Sequence, residues 1–193
     1  MKSLIATALA CAAIAVLATG CGDDADKDQD DAKKPATSTA AKETADPLMR
    51  AVPPASDAGG ACGSVDYAVI EQTAGLRFDV AAAGTSDQAR TCALRQTSHE
   101  LPALVFAVRD GEFDAEGFRT DFQPGDAQGV DGLGDAAYNK VLDASDNSGP
   151  RVEIGWLTGG SARTLTLTTA ANTSPDDAKN QINGLVELAK KLS

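Results

Sequence analysis

Few side chains in this 193-residue chain are of a type that does chemistry. There is one histidine, His99, and there are four cysteines, Cys11, Cys21, Cys62 and Cys92. A serine or cysteine nucleophile needs a base beside it, usually histidine. His99 lies in Thr97-Ser98-His99-Glu100, a polar turn before Pro102, and reads as an exposed loop residue. Zinc asks for three or four His, Cys or carboxylate ligands, and one histidine with no C-x-x-C does not supply them. Asp131 to Asp135 and Asp143 to Gly149 hint at calcium loops, but neither has EF-hand spacing, and Asp/Gly/Asn clusters are ordinary turn chemistry. Gly132 and Gly134 are followed by no Lys-Ser/Thr of a phosphate loop. A glycosidase needs two carboxylates across a cleft; acids abound, but sequence alone brings no two together. No catalytic residue, metal site or cofactor is assigned. Tyr138 and Trp156 are the two aromatic residues to watch. Exposed on an open sheet face, they could stack on a sugar or clamp a peptide. The competing reading packs Trp156 beneath the last helix.

The cysteines divide by position. Lys2 gives a short positive start, and Leu4 to Ala18 is an apolar stretch of fifteen residues. That is short for a membrane span and suits a signal peptide. Leu17-Ala18-Thr19-Gly20-Cys21 looks like a lipobox, with small residues leading to a cysteine that takes a diacylglyceryl group before cleavage. Ala18 stands where the motif usually has Leu, and Leu17 is one place early. Residues 1–20 are thus expected to be a lipoprotein signal peptide, removed together with Cys11. Cys21 is expected to be the lipidated N-terminus. Each buried lipid CH₂ contributes about 0.8 kcal/mol, and two chains make an anchor effectively permanent. The other possibility is an ordinary secreted protein with Cys21 free, an exposed thiol of the kind exported chains avoid. With no twin-arginine pair, export by the general secretory route to the outer face of the membrane is expected.

The formal net charge of -11 argues against nucleic acid as a partner, because phosphate contacts need a basic face. It also argues against electrostatic attraction to anionic headgroups. Asp23, Asp24, Asp26, Asp28, Asp30 and Asp31 form the one dense acidic run. Residues 21–60 are rich in Asp, Ala, Thr, Ser and Pro and too poor in large apolar residues to offset ordering entropy. They read as a disordered tether with a reach on the order of 35 Å. Leu48 to Val52 is a small apolar island within it. Residues 61–193 are expected to form a single extracytoplasmic domain. Cys62 and Cys92, the two cysteines left there, are expected to pair in an oxidising compartment. The loop they close would contribute roughly 3–4 kcal/mol on the chain-entropy model.

The elements that must position any site follow from periodicity and caps. Ser64 is an N-cap candidate for a first helix stopped by Gly75. Leu76 to Val80 alternates like a strand, Thr91 to Gln96 is the next, and Leu104, Phe106 and Val108 mark the strongest. Glu112 to Phe122 carries three phenylalanines and reads as a short helix. Ala136 to Leu142 is a strand, Val152, Ile154 and Trp156 share one face of another, and Gly159-Gly160 signals a hairpin. Leu165 and Leu167 then alternate with Thr164, Thr166 and Thr168. Ser174, Pro175, Asp176 and Asp177 open a last helix that ends with Lys190 and Lys191. Its buried stripe is Ala178, Ile182, Leu185, Val186, Ala189 and Leu192. The expected fold is α+β, a mainly antiparallel sheet with helices on one face, in the order α-βββ-α-βββ-α, with one disulfide.

Together the lipobox, the Ala/Thr/Pro-rich tether, Cys62-Gly63, Cys92, the Gly132-Leu133-Gly134-Asp135-Ala136-Ala137-Tyr138 segment and the final helix resemble a group of actinobacterial lipoproteins of uncharacterised function. In outline they are similar to extracytoplasmic sensor domains of mycobacterial serine/threonine kinases. The resemblance implies a cell-envelope α+β domain with a binding or sensing role and no catalytic residues to carry over. The expected partners are the membrane, through the lipid on Cys21, and an envelope protein, peptide or glycan. The competing functions are a carboxylate-based cell-wall hydrolase or accessory factor, and a stress or immunity factor blocking a secreted enzyme. Cys21→Ser is expected to move the protein from the membrane fraction to the soluble one. Membrane retention unchanged by the substitution would refute the anchor.

Overall fold

The computed structural model describes residues 51–193. The expected signal peptide at 1–20, the lipidation site Cys21 and the tether as far as residue 50 lie outside the described residues. Ordered structure begins earlier than residue 61. Two 3-10 turns, Ala55–Ala58 and Gly60–Ser64, come first, and Ala55, Ala61 and Cys62 are buried in the core. The apolar island does not dock through its last residues, because Ala51 and Val52 are exposed.

The first helix, α1 (Tyr67–Ala74), is capped by Asp66, whose Oδ1 accepts from the Ala68 amide at 2.7 Å. Ser64, the residue expected to cap it, instead donates its hydroxyl to Ala61 O and closes the preceding 3-10 turn. Gly75 ends the helix in the left-handed conformation, as expected. Three strands follow: β1 (Val80–Ser86), β2 (Ala89–Gln96) and β3 (His99–Arg109). The first is displaced from its expected position. Leu76 to Asp79 runs outside the strand ladder, apart from an Asp79 amide bond to Arg95 O, and the strand is Val80 to Ser86. That segment is made mostly of small residues, with no apolar–polar alternation of its own. Pairing with β2 across an Asp87-Gln88 turn makes it a strand.

Next comes α2 (Ala115–Asp121), capped by Asp114 through the Gly117 amide. Four strands complete the sheet: β4 (Gln128–Gly129), β5 (Ala136–Leu142), β6 (Arg151–Thr158) and β7 (Ser161–Thr168). The two-residue β4 had no sequence signal. The last helix is broken at Gln181 into α3 (Pro175–Asn180), capped by Ser174, and α4 (Ile182–Lys191). The strand order is β1-β2-β3-β7-β6-β5-β4, every pair antiparallel. Two meanders are therefore joined along β3 and β7. The α+β class, the antiparallel sheet and the single disulfide are as expected.

Strand alternation gives the sheet two faces. Leu94, Phe106, Leu165, Ile154 and Trp156 point to one, where they pack with Ile70 of α1 and with Leu185, Leu188 and Ala189 of α4. Leu188, absent from the expected stripe, is buried there. The Cys62–Cys92 disulfide (Cα–Cα 4.9 Å) ties the second 3-10 turn to β2 on this face. The other face is not bare throughout, which corrects the expectation of helices on one side. There α2 sets Phe118 against Tyr138, Leu157, Ala136 and Ala162 as a second, smaller core. Phe113 just before α2, Phe118 within it and Phe122 at its end bring their three rings to one spot.

Close backbone approach sets the shape at Gly134 (φ +60), where a Cβ would stand 2.1 Å from Leu157 O. Gly132 (φ +71) has a similar backbone but open space around it. Gly132→Ala should cost about 1–2 kcal/mol of backbone strain. Gly134→Ala should cost that plus a further 1–3 kcal/mol or so of overpacking. Urea unfolding of the two variants checks the ranking, and equal losses would contradict the close contact.

Candidate functional site

The two helical layers leave part of one sheet face uncovered, and the groove there is the candidate site. Register places its floor. Thr91, Ala107 and Thr164 lie side by side across β2, β3 and β7, and Ala93, Val105 and Thr166 form the next row. All six are half-buried. On the opposite side of the first row, Arg109 faces Ala162. Phe122, at the end of α2, and the Ser86-Asp87 end of the first hairpin close the walls. The volume is about 310 Å³, at the small end of ligand sites, which run from about 300 to 1,000 Å³.

The floor is shallow because its side chains are small. It is also a mixture of methyl groups and hydroxyls. The hydroxyls of Thr91, Thr164 and Thr166 make no hydrogen bond among the described residues, and each borders the groove. One cation stands at its end. The Arg109 guanidinium lies 5.5 Å from the Phe122 ring centroid, and its Nη2 donates to Asp87 O. Phe122 is itself held edge-on by Phe113 at 4.9 Å and stacked on Phe118 at 5.7 Å. A cation over a ring is stabilised by about 0.5–1 kcal/mol at such partly exposed sites. Arg109 pairs with no carboxylate among the described residues, and the same holds for Arg95, Arg119, Arg151, Arg163 and Lys191; what sets Arg109 apart is its place at the end of the groove. The groove therefore offers a positioned guanidinium, with Asp87 in the adjoining wall, next to threonine hydroxyls that have no partner among the described residues.

The two aromatic residues to watch lie elsewhere, and Trp156 packs with the last helix, as its competing reading had it. Trp156 is fully buried on the helix-covered face, its ring stacked 6.0 Å from Phe106. Its Nε1 has no hydrogen-bond partner among the described residues. Tyr138 is buried on the opposite face beneath α2, its ring 5.9 Å from Phe118 and lying across Gly155. Its hydroxyl donates to Glu153 Oε1 at 2.8 Å. Neither is a binding platform, because both rings are the filling of cores. The two could not have shared a face in any case: Trp156 pairs with Ala137 and Tyr138 with Gly155, so they sit on adjacent, oppositely directed positions. Cys62 and Cys92 are joined to each other and do no redox chemistry as thiols.

His99 opens β3 rather than lying in a turn, and it is exposed; Ser98 Oγ lies 2.7 Å from its Nδ1. That contact is between chain neighbours on the surface, with no carboxylate hydrogen-bonded to the ring among the described residues. No group of three or more His, Cys, Asp or Glu is placed to hold a metal among the described residues. The two Asp/Gly-rich segments are turns, as read from their composition: Ser145 and Ser148 bridge the second, and Gly132 to Asp135 leads into β5. The groove residues were partly announced in sequence by the alternation of Thr164, Thr166 and Thr168 with Leu165 and Leu167. Arg109 and Phe122 carried no signal, because their meeting depends on how α2 lies on the sheet.

The chain matches no family model, no curated protein and no solved structure in the three comparisons made.

Both tyrosines are held neutral by their surroundings. Burial first, then the Glu153 charge and hydrogen bond, pushes the Tyr138 phenol far above its usual value near 10. Burial and then Asp79 raise Tyr67 less. A folded pKa raised above the unfolded one contributes stability that is intact below pH 10 and lost as pH climbs past it. Absorbance titration near 295 nm should show Tyr67 ionising above pH 10 in the folded protein and Tyr138 only with unfolding. Two tyrosines titrating together near pH 10 in folded protein would contradict the burial of Tyr138.

Proposed function

We propose that this chain is a membrane-anchored lipoprotein whose extracytoplasmic domain is a non-enzymatic binding or sensing module of the cell envelope. Its ligand or partner lies on the uncovered part of the sheet, in the groove between the first hairpin and α2. The lipid on Cys21 holds it at the outer membrane face, and the acidic tether keeps the domain within a few tens of ångströms of that face. The observation that carries this reading is the groove itself. Helices cover one face of the sheet and the Tyr138 patch of the other, and beside that patch the sheet presents half-buried small side chains next to an arginine that no carboxylate contacts among the described residues. The carboxylate-hydrolase reading needs two acids facing each other across a cleft, and Asp87 is the one acid lining this groove.

Ala107 lies at the centre of the floor and points out of the core, so a large side chain there fills the groove without entering either core. Full-length Ala107→Trp should keep its melting temperature within a few degrees and lose the partner that the wild-type chain retains from solubilised membranes. A partner captured equally by both proteins would place binding elsewhere on the domain and refute the groove.

A further inference from the structure

We infer that the groove takes the C-terminal end of a short peptide: its free carboxylate on Arg109, its amide groups on the threonine hydroxyls and its small uncharged side chains against the alanine and valine floor. The inference rests on the groove being the binding site and names what fits it. Four observations select this ligand over others.

Charge comes first. The chain is strongly acidic, so anions are repelled in general, yet a half-buried arginine that no carboxylate contacts among the described residues stands at one end of the groove, and the one acid in the lining, Asp87, meets it through its backbone carbonyl. One anionic group at one end is therefore accommodated, and a polyanion is not. Arg109 is pre-oriented by the Phe122 ring and the Asp87 carbonyl, which leaves the rest of its planar donor fork for a carboxylate. Next come the hydroxyls of Thr91, Thr164 and Thr166. An acyl chain laid over them would strip their water and return no hydrogen bond, which is unfavourable for each hydroxyl. A ligand with regularly spaced amide groups returns those bonds. Aromatic surface decides against a sugar. Pyranose rings are held by exposed aromatic faces, but Trp156 and Tyr138 are buried and Phe122 is already covered by Arg109, Phe113 and Phe118. Length sets the size. From Arg109 to Val105 along β3 is four residues, about 14 Å at strand rise, which an extended peptide of about four residues spans.

The test uses the full chain, ¹⁵N-labelled, titrated with three probes: acetyl-trialanine with a free carboxylate, the same peptide amidated, and sodium laurate. The free acid is expected to shift the amides of Thr91, Ala107, Thr164 and Thr166, and to bind at least tenfold more tightly than the amidated form. Arg109→Gln should abolish the difference between acid and amide, and Arg109→Lys should restore part of it. Because the acid-to-amide comparison is made on the unmodified protein, it holds even if Arg109→Gln unfolds. Equal binding of acid and amide, or laurate displacing the peptide from the same amides, overturns the ligand while leaving the groove as the site. Silence of those amides with all three probes also overturns the ligand, and the groove then stands or falls on capture by the Ala107→Trp protein.

Discussion

The pairing of β3 with β7 is the constraint on which the rest of the structure depends. It runs from Ala103 opposite Thr168 to Arg109 opposite Ala162. Two antiparallel meanders, each too small to bury its own apolar face, become one sheet through it. The residues joined are far apart in sequence, so forming the pair carries a loop-closure cost that local turns do not. The return is continuity. Leu104, Phe106, Leu165 and Leu167 meet in adjacent strands on one face, and α1, α3 and α4 pack where the rows of both meanders run together.

The same pairing produces the groove. On the reverse face it sets Ala107 beside Thr164 and Val105 beside Thr166, positions contributed by different halves of the chain. Helix α2 connects the halves and lies on this reverse face, but with two turns it is long enough to cover only β5, β6 and the near end of β7. Its three phenylalanines explain where it stops. Phe118 anchors it over Tyr138, and Phe122, at its end, is left at the margin with Arg109 lying across its ring. A longer α2 would roof the floor, and a shorter one would leave Arg109 without a partner. The uncovered area is therefore a consequence of helix length against sheet width, bounded by an arginine that no carboxylate contacts among the described residues.

Burying Tyr138 beneath α2 has its own requirement. A phenol removed from water needs an acceptor, and Glu153, opposite Lys140 on the next strand, supplies one. Gly155 makes room, since a Cβ there would stand 2.3 Å from the ring. Tyr138, Glu153 and Gly155 are thus one unit, and the smaller core depends on all three. On the other face, Trp156 gains ring packing on Phe106 but leaves its indole N–H unpaired among the described residues.

Local signals in the chain were enough for several elements. Ala136 to Leu142 was legible as a strand to the residue, because a short run with Tyr138, Val141 and Leu142 lies between a Gly/Asp-rich loop and an Asp/Ser/Asn turn. Gly75, Ser174 and Pro175 marked helix ends through backbone and capping chemistry that acts within a few residues. Cys62 and Cys92 were paired by elimination, and the α+β class followed from the order of elements. What depended on partners distant in sequence was not legible. Val80 to Ser86 became a strand only against β2, and the side on which α2 packs followed from the fit of three rings over Tyr138. Whether Trp156 and Tyr138 were core or surface was open in the sequence, because alternation assigns a residue to a face and says nothing of what covers that face. Arg109, Phe122 and the three threonines form a site for the same reason: no short stretch of chain contains them, and only the closed sheet and the reach of α2 bring them to one groove.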